Sequence, residues 1–143
     1  MTGGNVDPKE LIQVNTDTWN TRDQEGFFAT YTEDCELTAP GFDGKGRQGL
    51  QEFWSLWMSG FPDNQVRVRL LIAEEDHVVE ESVFEGTNSG PLRNPDGTET
   101  AATGRSVSAP FAGIHTVRSG KIARSRIYFD EADVLSQLGV MPS

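Results

Sequence analysis

In the stretch "RIYFD" near the C-terminus, Arg126, Tyr128 and Asp130 recur at every second position. On a β-strand such residues share one face, so a cation, a phenol and a carboxylate would project together, opposite Ile127 and Phe129. An apolar pocket would give that trio a use. Desolvation there favours a protonated carboxyl, which lets an aspartate take a proton from a carbon acid or activate a hydroxyl. The phenol can donate a hydrogen bond to a developing enolate oxygen. The guanidinium can hold the carboxylate ionised or bind a carbonyl. Asp130 also precedes "EADVLSQLG", where Val134, Leu135 and Leu138 recur as on a helix and Gly139 is a natural stop. The two roles are compatible, since its backbone can start a helix while its side chain reaches inward.

Few other residues carry chemistry. His115 lies along a second alternating run and His77 in a turn signal; with Cys35 far from both, no metal-ligand spacing appears. A strand histidine satisfied by its neighbours is the simpler reading of His115. Asn88, in "GTNSG", can hydrogen-bond a carbonyl or a water, and it also suits a turn. Arg118, Lys121, Arg124 and Arg126 cluster around one hairpin and read as a solvated or ion-paired face.

The 143 residues include 22 acidic and 12 basic side chains, a formal net charge of −10. That balance repels phosphate backbones and anionic lipid, so it argues against nucleic acid and membrane surfaces and favours a hydrophobic small molecule or another protein. The length suits one domain, residues 1–143, and three Trp with eight Phe supply a core without disulfides or metal. One cysteine forbids an intrachain disulfide, and no charged segment followed by an apolar one opens the chain, so a cytoplasmic location is the default expectation. No apolar run approaches the roughly 20 residues of a membrane helix.

The elements follow from pattern. Asp7 with Pro8 and Glu10 predicts the start of a first helix carrying Leu11, Val14, Thr18 and Trp19 on one side. Asp23 restarts a short second helix whose apolar side is Phe27, Phe28 and Tyr31. "CELTAPG" reads as a short strand and turn, and "GRQGLQEFWSLWMSGFP" as a third helix with Leu50, Phe53, Trp54 and Trp57 on one face. After Pro62 the period becomes two. Val66, Val68 and Leu70 alternate with Arg67 and Arg69, the chain turns near Glu75 to His77, and a second strand runs to Gly86. "TNSGPLRNPDGTETAATG" predicts a long loop or lid. Two further strands meet at Ser119-Gly120, with Pro110 marking a bulge or an edge. Helices segregated from an antiparallel sheet give an α+β fold.

Together the two-helix opening, "APG", "EGTNSGPL", "GRSVSAPFAGIHTVRSGKI" and "RIYFDEADVLSQLGVMP" resemble the SnoaL-like polyketide cyclases and ester cyclases of the nuclear transport factor two-like superfamily. The resemblance implies a cone-shaped half-barrel, a curved antiparallel sheet and helices around a deep apolar pocket, commonly in a homodimer packed through the sheet. It implies acid/base cyclisation or isomerisation of a hydrophobic polyketide-like or terpenoid-like intermediate without metal or organic cofactor. Asp130 takes the motif position of the catalytic acid, with Tyr128 and Asn88 orienting oxygens; Asn88 stands where the family often carries a histidine. Trp19 and Trp54 are expected to stack on the ligand, and Arg126, His115, Ser82, Phe84 and Thr38 to complete its wall. Limonene-type epoxide hydrolases, similar at "YFD", pair that Asp with an Arg and a second Asp, where this chain offers Ser82 and Phe84. Steroid isomerases place an Asp before the "PG" turn, where this chain has Ala39. Epoxide opening, or a non-catalytic binding or hydroxylase-partner module, are the alternative functions.

Overall fold

A computed structural model describes residues 7–93 and 97–140. Met141 and Pro142, which end the C-terminal motif, and residues 94–96 of the expected lid lie outside this range.

The opening helix, α1 (Pro8–Asn20), starts where the Asp7 carboxylate accepts the Lys9 N–H at 2.9 Å, and α2 (Gln24–Ala29) where Asp23 accepts the Gly26 N–H at 3.0 Å. On α1 the buried side is Leu11, Ile12, Thr16 and Trp19, whereas Val14, expected inward, is exposed. The second helix is shorter than its aromatic pattern suggested. Thr30 closes it by bonding the Phe27 carbonyl through its hydroxyl at 2.6 Å, and Tyr31 opens a strand instead.

That strand, β1 (Tyr31–Ala39), is longer than expected, and β2 (Phe42–Lys45) pairs back on it across the turn at Gly41. Then come α3 (Gly46–Gly60), β3 (Gln65–Glu74) and β4 (His77–Thr87). The lid region is itself a small hairpin of β5 (Leu92–Arg93) and β6 (Glu99–Thr100). The hairpin of β7 (Ser106–Arg118) and β8 (Lys121–Phe129) turns at Ser119 and Gly120, both with positive φ, as a tight two-residue turn requires. Last is α4 (Glu131–Leu138), closed by Gly139 at φ 74°.

The main sheet runs β2-β1-β8-β7-β4-β3, antiparallel except where β1 lies parallel to β8. Its covered face packs against α1, α2 and α3 through residues such as Leu37, Val78 and Ile122. A second cluster, with Val107, Ala109, Val134 and Leu138, seats α4 on β7. Pro110 causes no break in the β4 ladder: it sits opposite Val83, and β8 has already ended with Phe129 opposite Phe111, so the missing N–H faces no strand there. On β3 the expected alternation fails after Val68. A register shift between Val68 and Leu70 turns Leu70 and Ile72 outward and Leu71 inward, the usual effect of an extra residue in one strand.

The start of α3 lies directly on β2. A Cβ on Gly49 would stand 2.6 Å from the Gly44 carbonyl carbon and 2.8 Å from its Cα, and backbone cannot swing aside. Gly49→Ala should therefore destabilise the protein by about 1–3 kcal/mol despite alanine's better helix propensity. Urea unfolding measures this, and an unchanged midpoint would show that α3 does not rest on β2 in this way.

Candidate active site

Three strands line up side-chain rows across the covered face. Val78, His115 and Ser125 form one row, Glu80, Gly113 and Ile127 the next, and Ser82, Phe111 and Phe129 the one after. Facing them, α1 contributes Asn15, Thr16 and Trp19, α2 Phe27, and α3 Phe53 and Trp57. The space between is a cavity of about 100 Å³, and its walls are mainly apolar and aromatic.

A carboxylate and an imidazole lie in that wall, and they touch. Glu80 and His115 are 4 % and 2 % exposed, and Glu80 Oε1 is 2.7 Å from His115 Nε2. Each is fixed from behind: the Ser82 hydroxyl donates to Glu80 Oε2 at 2.7 Å, and Ser125 Oγ meets His115 Nδ1 at 2.7 Å. With Glu80 ionised, one assignment of hydrogens satisfies every group: Nε2–H donates to the carboxylate and Nδ1 accepts from the Ser125 hydroxyl. Glycine at 113 makes the contact possible. A Cβ there would stand 2.8 Å from His115 Nε2 and 3.1 Å from Glu80 Oε1, inside the bridge itself.

Beside Ser125 lies Tyr31. Burial pushes its phenol up to about 12, against the opposing pull of hydrogen bonding with Ser125 and Asn15. The hydroxyl thus keeps its proton at any physiological pH and is a donor on the cavity wall.

The trio predicted from "RIYFD" is placed elsewhere. Ile127 and Phe129 line the cavity, so alternation puts Arg126, Tyr128 and Asp130 on the opposite face. Tyr128 is 52 % exposed there, and Arg126 pairs across the sheet with Ile114 and with Thr38, which also lies off the cavity wall. The exposed Asp130 carboxylate accepts the Asp133 N–H at 3.0 Å as the cap of α4. Expecting the polar set inward went against the strand's own pattern, in which the apolar residues face the interior.

Asn88 is fully buried but spent on the loop. Its Nδ2 donates to the carbonyls of Gly60 and Gly90, and its Oδ1 accepts from the N–H and hydroxyl of Thr103. Trp54 belongs to the core rather than the cavity wall, while Trp19 does line it with its Nε1 donating to Asn64 Oδ1 at 2.6 Å. Phe84 lines the cavity as expected, and Ser82 acts through Glu80. His115 is both satisfied by neighbours and exposed to the cavity. The sequence reading missed Glu80, Tyr31, Ser125 and Gly113. Glu80 shares the alternating set Val78, Ser82 and Phe84, and that parity was the available signal.

A family model for SnoaL-like polyketide cyclases matches residues 9–138. The chain belongs to the SnoaL-like polyketide cyclase family. Among solved structures it is similar to a proposed SnoaL-like polyketide cyclase from Jannaschia sp. CCS1, with a TM-score of 0.83, 20 % identity, and 99 % of this chain and 98 % of that one covered. It is similar to AclR, a proposed hydroxylase from Streptomyces galilaeus, with a TM-score of 0.79, 21 % identity, and 95 % and 87 % covered. It also resembles a protein of ketosteroid isomerase-like fold from Catenulispora acidiphila, with a TM-score of 0.76, 18 % identity, and 93 % and 94 % covered. At these identities the likeness is one of fold, and it bears out the α+β architecture with a curved, helix-covered sheet. No curated protein matches the chain. Among the described residues no three His, Cys, Asp or Glu side chains gather as a metal site would need, and no helix is long and apolar enough to cross a membrane.

Folding favours the protonated Tyr31, whose value rises from 10.0 to about 12. Its stabilising contribution is therefore complete below about pH 10 and lost as the pH rises through about 12. In an alkaline titration followed by phenolate absorbance, one of the two tyrosines should ionise only near pH 12 or together with unfolding. Both ionising at their ordinary value in folded protein would contradict this burial.

Proposed function

We propose that this SnoaL-like protein is a cofactor-independent cyclase or isomerase that moves a proton on a hydrophobic polyketide-like or terpenoid-like ketone, with the Glu80–His115 pair as acid/base. The observation that carries the reading is the placement of that pair, buried and mutually bonded, in the wall of an otherwise apolar cavity. Glu80 is bonded once at each oxygen, which leaves carboxylate lone pairs for a substrate proton.

In the proposed step a C–H bond next to a carbonyl breaks, its proton passes to the pair, and the electron pair enters the enolate. The pair goes from a net charge of −1 to neutral. Tyr31, a phenol on the same cavity wall beside Ser125, takes the role expected of Tyr128, stabilising the enolate oxygen. The enolate carbon can then attack a second carbonyl and close a ring, whose oxyanion recovers the proton; reprotonation at another carbon gives isomerisation.

Glu80→Gln and His115→Gln should each slow solvent-deuterium exchange into the α-carbon of β-tetralone by about 100-fold or more, the usual weight of a positioned acid/base group. Asp130→Asn should leave exchange unchanged, since asparagine caps a helix as well as aspartate. NMR of the ketone reads both. Unchanged exchange in the Glu80 variant would overturn the reading, loss in Asp130→Asn would restore the aspartate as the base, and binding without exchange would make the protein a carrier.

We also infer a homodimer through the uncovered face of the sheet. Leu70, Ile72, Val79 and Tyr128, at 48, 54, 42 and 52 % exposure, are large apolar or aromatic groups on that face, and Ile72, Val79 and Ile114 share one row. Such an uncovered apolar patch suits a second copy of the same surface. Sedimentation should give twice the 15.7 kDa chain mass, and Ile72→Asp should return the chain mass with the fold intact. A monomeric wild type would refute this interface.

A further inference from the structure

One threonine of α1 behaves unlike its neighbours. Thr18 and Thr21 turn their hydroxyls back on the helix, to the carbonyls of Val14 and Asp17, each at 2.9 Å, the usual way a helix satisfies this side chain. Thr16 lies on the buried side of α1, lines the cavity and is only 5 % exposed, and its hydroxyl bonds to no described residue. Among the described residues, the polar side-chain atoms that are both unpartnered and sealed from water belong to Thr32, Trp57 and Arg126. Thr16 is not one of them. Its hydroxyl therefore keeps open surface, and the cavity is where so deeply buried a side chain has it.

Asn15 lines the cavity beside it. Thr30 spends its only hydroxyl hydrogen on the Phe27 carbonyl at 2.6 Å, so its oxygen can only accept, and it accepts Asn15 Nδ2 at 3.0 Å. That fixes the amide, with its carbonyl oxygen turned away from Thr30, bonded to no described residue and not sealed. Asn15 is also hydrogen-bonded with Tyr31, and Tyr31 with Ser125 behind His115, so these polar groups adjoin the Glu80–His115 pair. Towards Ala109, Val107 and Val134 the wall is apolar.

Asn15 Oδ1 only accepts, whereas the Thr16 hydroxyl, free of the helix backbone, can donate. A ligand hydroxyl answers both, giving its hydrogen to Asn15 and taking one from Thr16. A carbonyl or ether oxygen answers Thr16 alone and leaves the amide oxygen unpaired. We propose that Asn15 and Thr16 form a specificity-determining site for a hydroxyl group, so that the ligand is a ring compound with a hydroxyl at its end nearest the Glu80–His115 pair and hydrocarbon at the other. That the same ring carries a reacting ketone rests on the acid/base reading above; the hydroxyl site does not.

The probes p-cresol and p-xylene test this, since they match in size and differ only in a hydroxyl for a methyl. Calorimetric titration gives the ratio of their affinities. Thr16→Val, which keeps the shape of the side chain and removes its hydroxyl, should shift that ratio about 3- to 10-fold towards p-xylene, the weight of one neutral hydrogen bond. Asn15→Leu should shift it in the same direction. In wild type the ring protons of p-cresol should show a nuclear Overhauser effect to the Thr16 methyl, a signal that depends on no variant. Binding of neither probe, an unchanged ratio in Thr16→Val, as if water alone occupied the site, or Overhauser contacts to other methyl groups only would each overturn the proposal. Glu80→Gln should keep the wild-type ratio; a shift there would place the hydroxyl on Glu80 and overturn the assignment. If Glu80→Gln keeps both the ratio and exchange activity, the acid/base reading fails while the hydroxyl site stands.

Discussion

A carboxylate and an imidazole share a hydrogen bond inside this sheet because the residue between them has no side chain. Neighbouring strands lie only about 4.8 Å apart, so the rows of an inner face are normally filled by Cβ atoms. Gly113 leaves a notch in the Glu80 row, and His115 reaches across it from the row below. Much else follows from this notch. Two polar groups so deeply buried must be satisfied on every side, which fixes serine at 82 and 125 as partners on flanking strands. The aromatic helices above then keep water from replacing those bonds. The result is a polar spot with one geometry, set in walls that otherwise specify only shape.

The scaffold was legible because its signals are local and mutually consistent. Asp7, Asp23 and Asp130 begin helices by bonding backbone N–H groups nearby, Gly139 ends one, and Ser119-Gly120 turns a hairpin. The active face was harder to read. A period of two gives two faces without saying which is inside, and in "RIYFD" the family motif points to the polar set while the apolar set faces the cavity. The inside is fixed by the partner elements, which bring Trp57 and Phe27 over Ile127 and Phe129. Glu80 was hidden for a related reason. A glutamate among acidic neighbours in "VVEESVFEG" looks like solvent-facing charge, and its histidine lies 35 positions away, a pairing that only the register of β4 and β7 creates. The extra residue near Arg69 had the same effect on β3, where strict alternation would have sent Leu70 inward.

The two faces of the sheet thus divide the work. The covered face holds the Glu80–His115 bridge in the wall of a largely apolar cavity. The uncovered face keeps the polar residues of β8 together with apolar side chains that a helix would otherwise cover. Aspartate at 130 serves the boundary: it ends the last strand, caps α4, and so holds Val134 and Leu138 against Val107 and Ala109 at one end of the cavity wall.

Asn88 shows how a single side chain can hold a long loop at its root. One amide holds both ends of the β5–β6 hairpin, binding Gly60 and Gly90 on one side and Thr103 on the other, while its backbone pairs with Gly104 and Arg105. With the loop already closed at its root, lengthening the tip carries little further entropic cost, since loop closure grows only slowly with length. The root of the hairpin is thus anchored by Asn88, apart from the Glu80–His115 bridge, whose geometry rests on the register of β4 and β7.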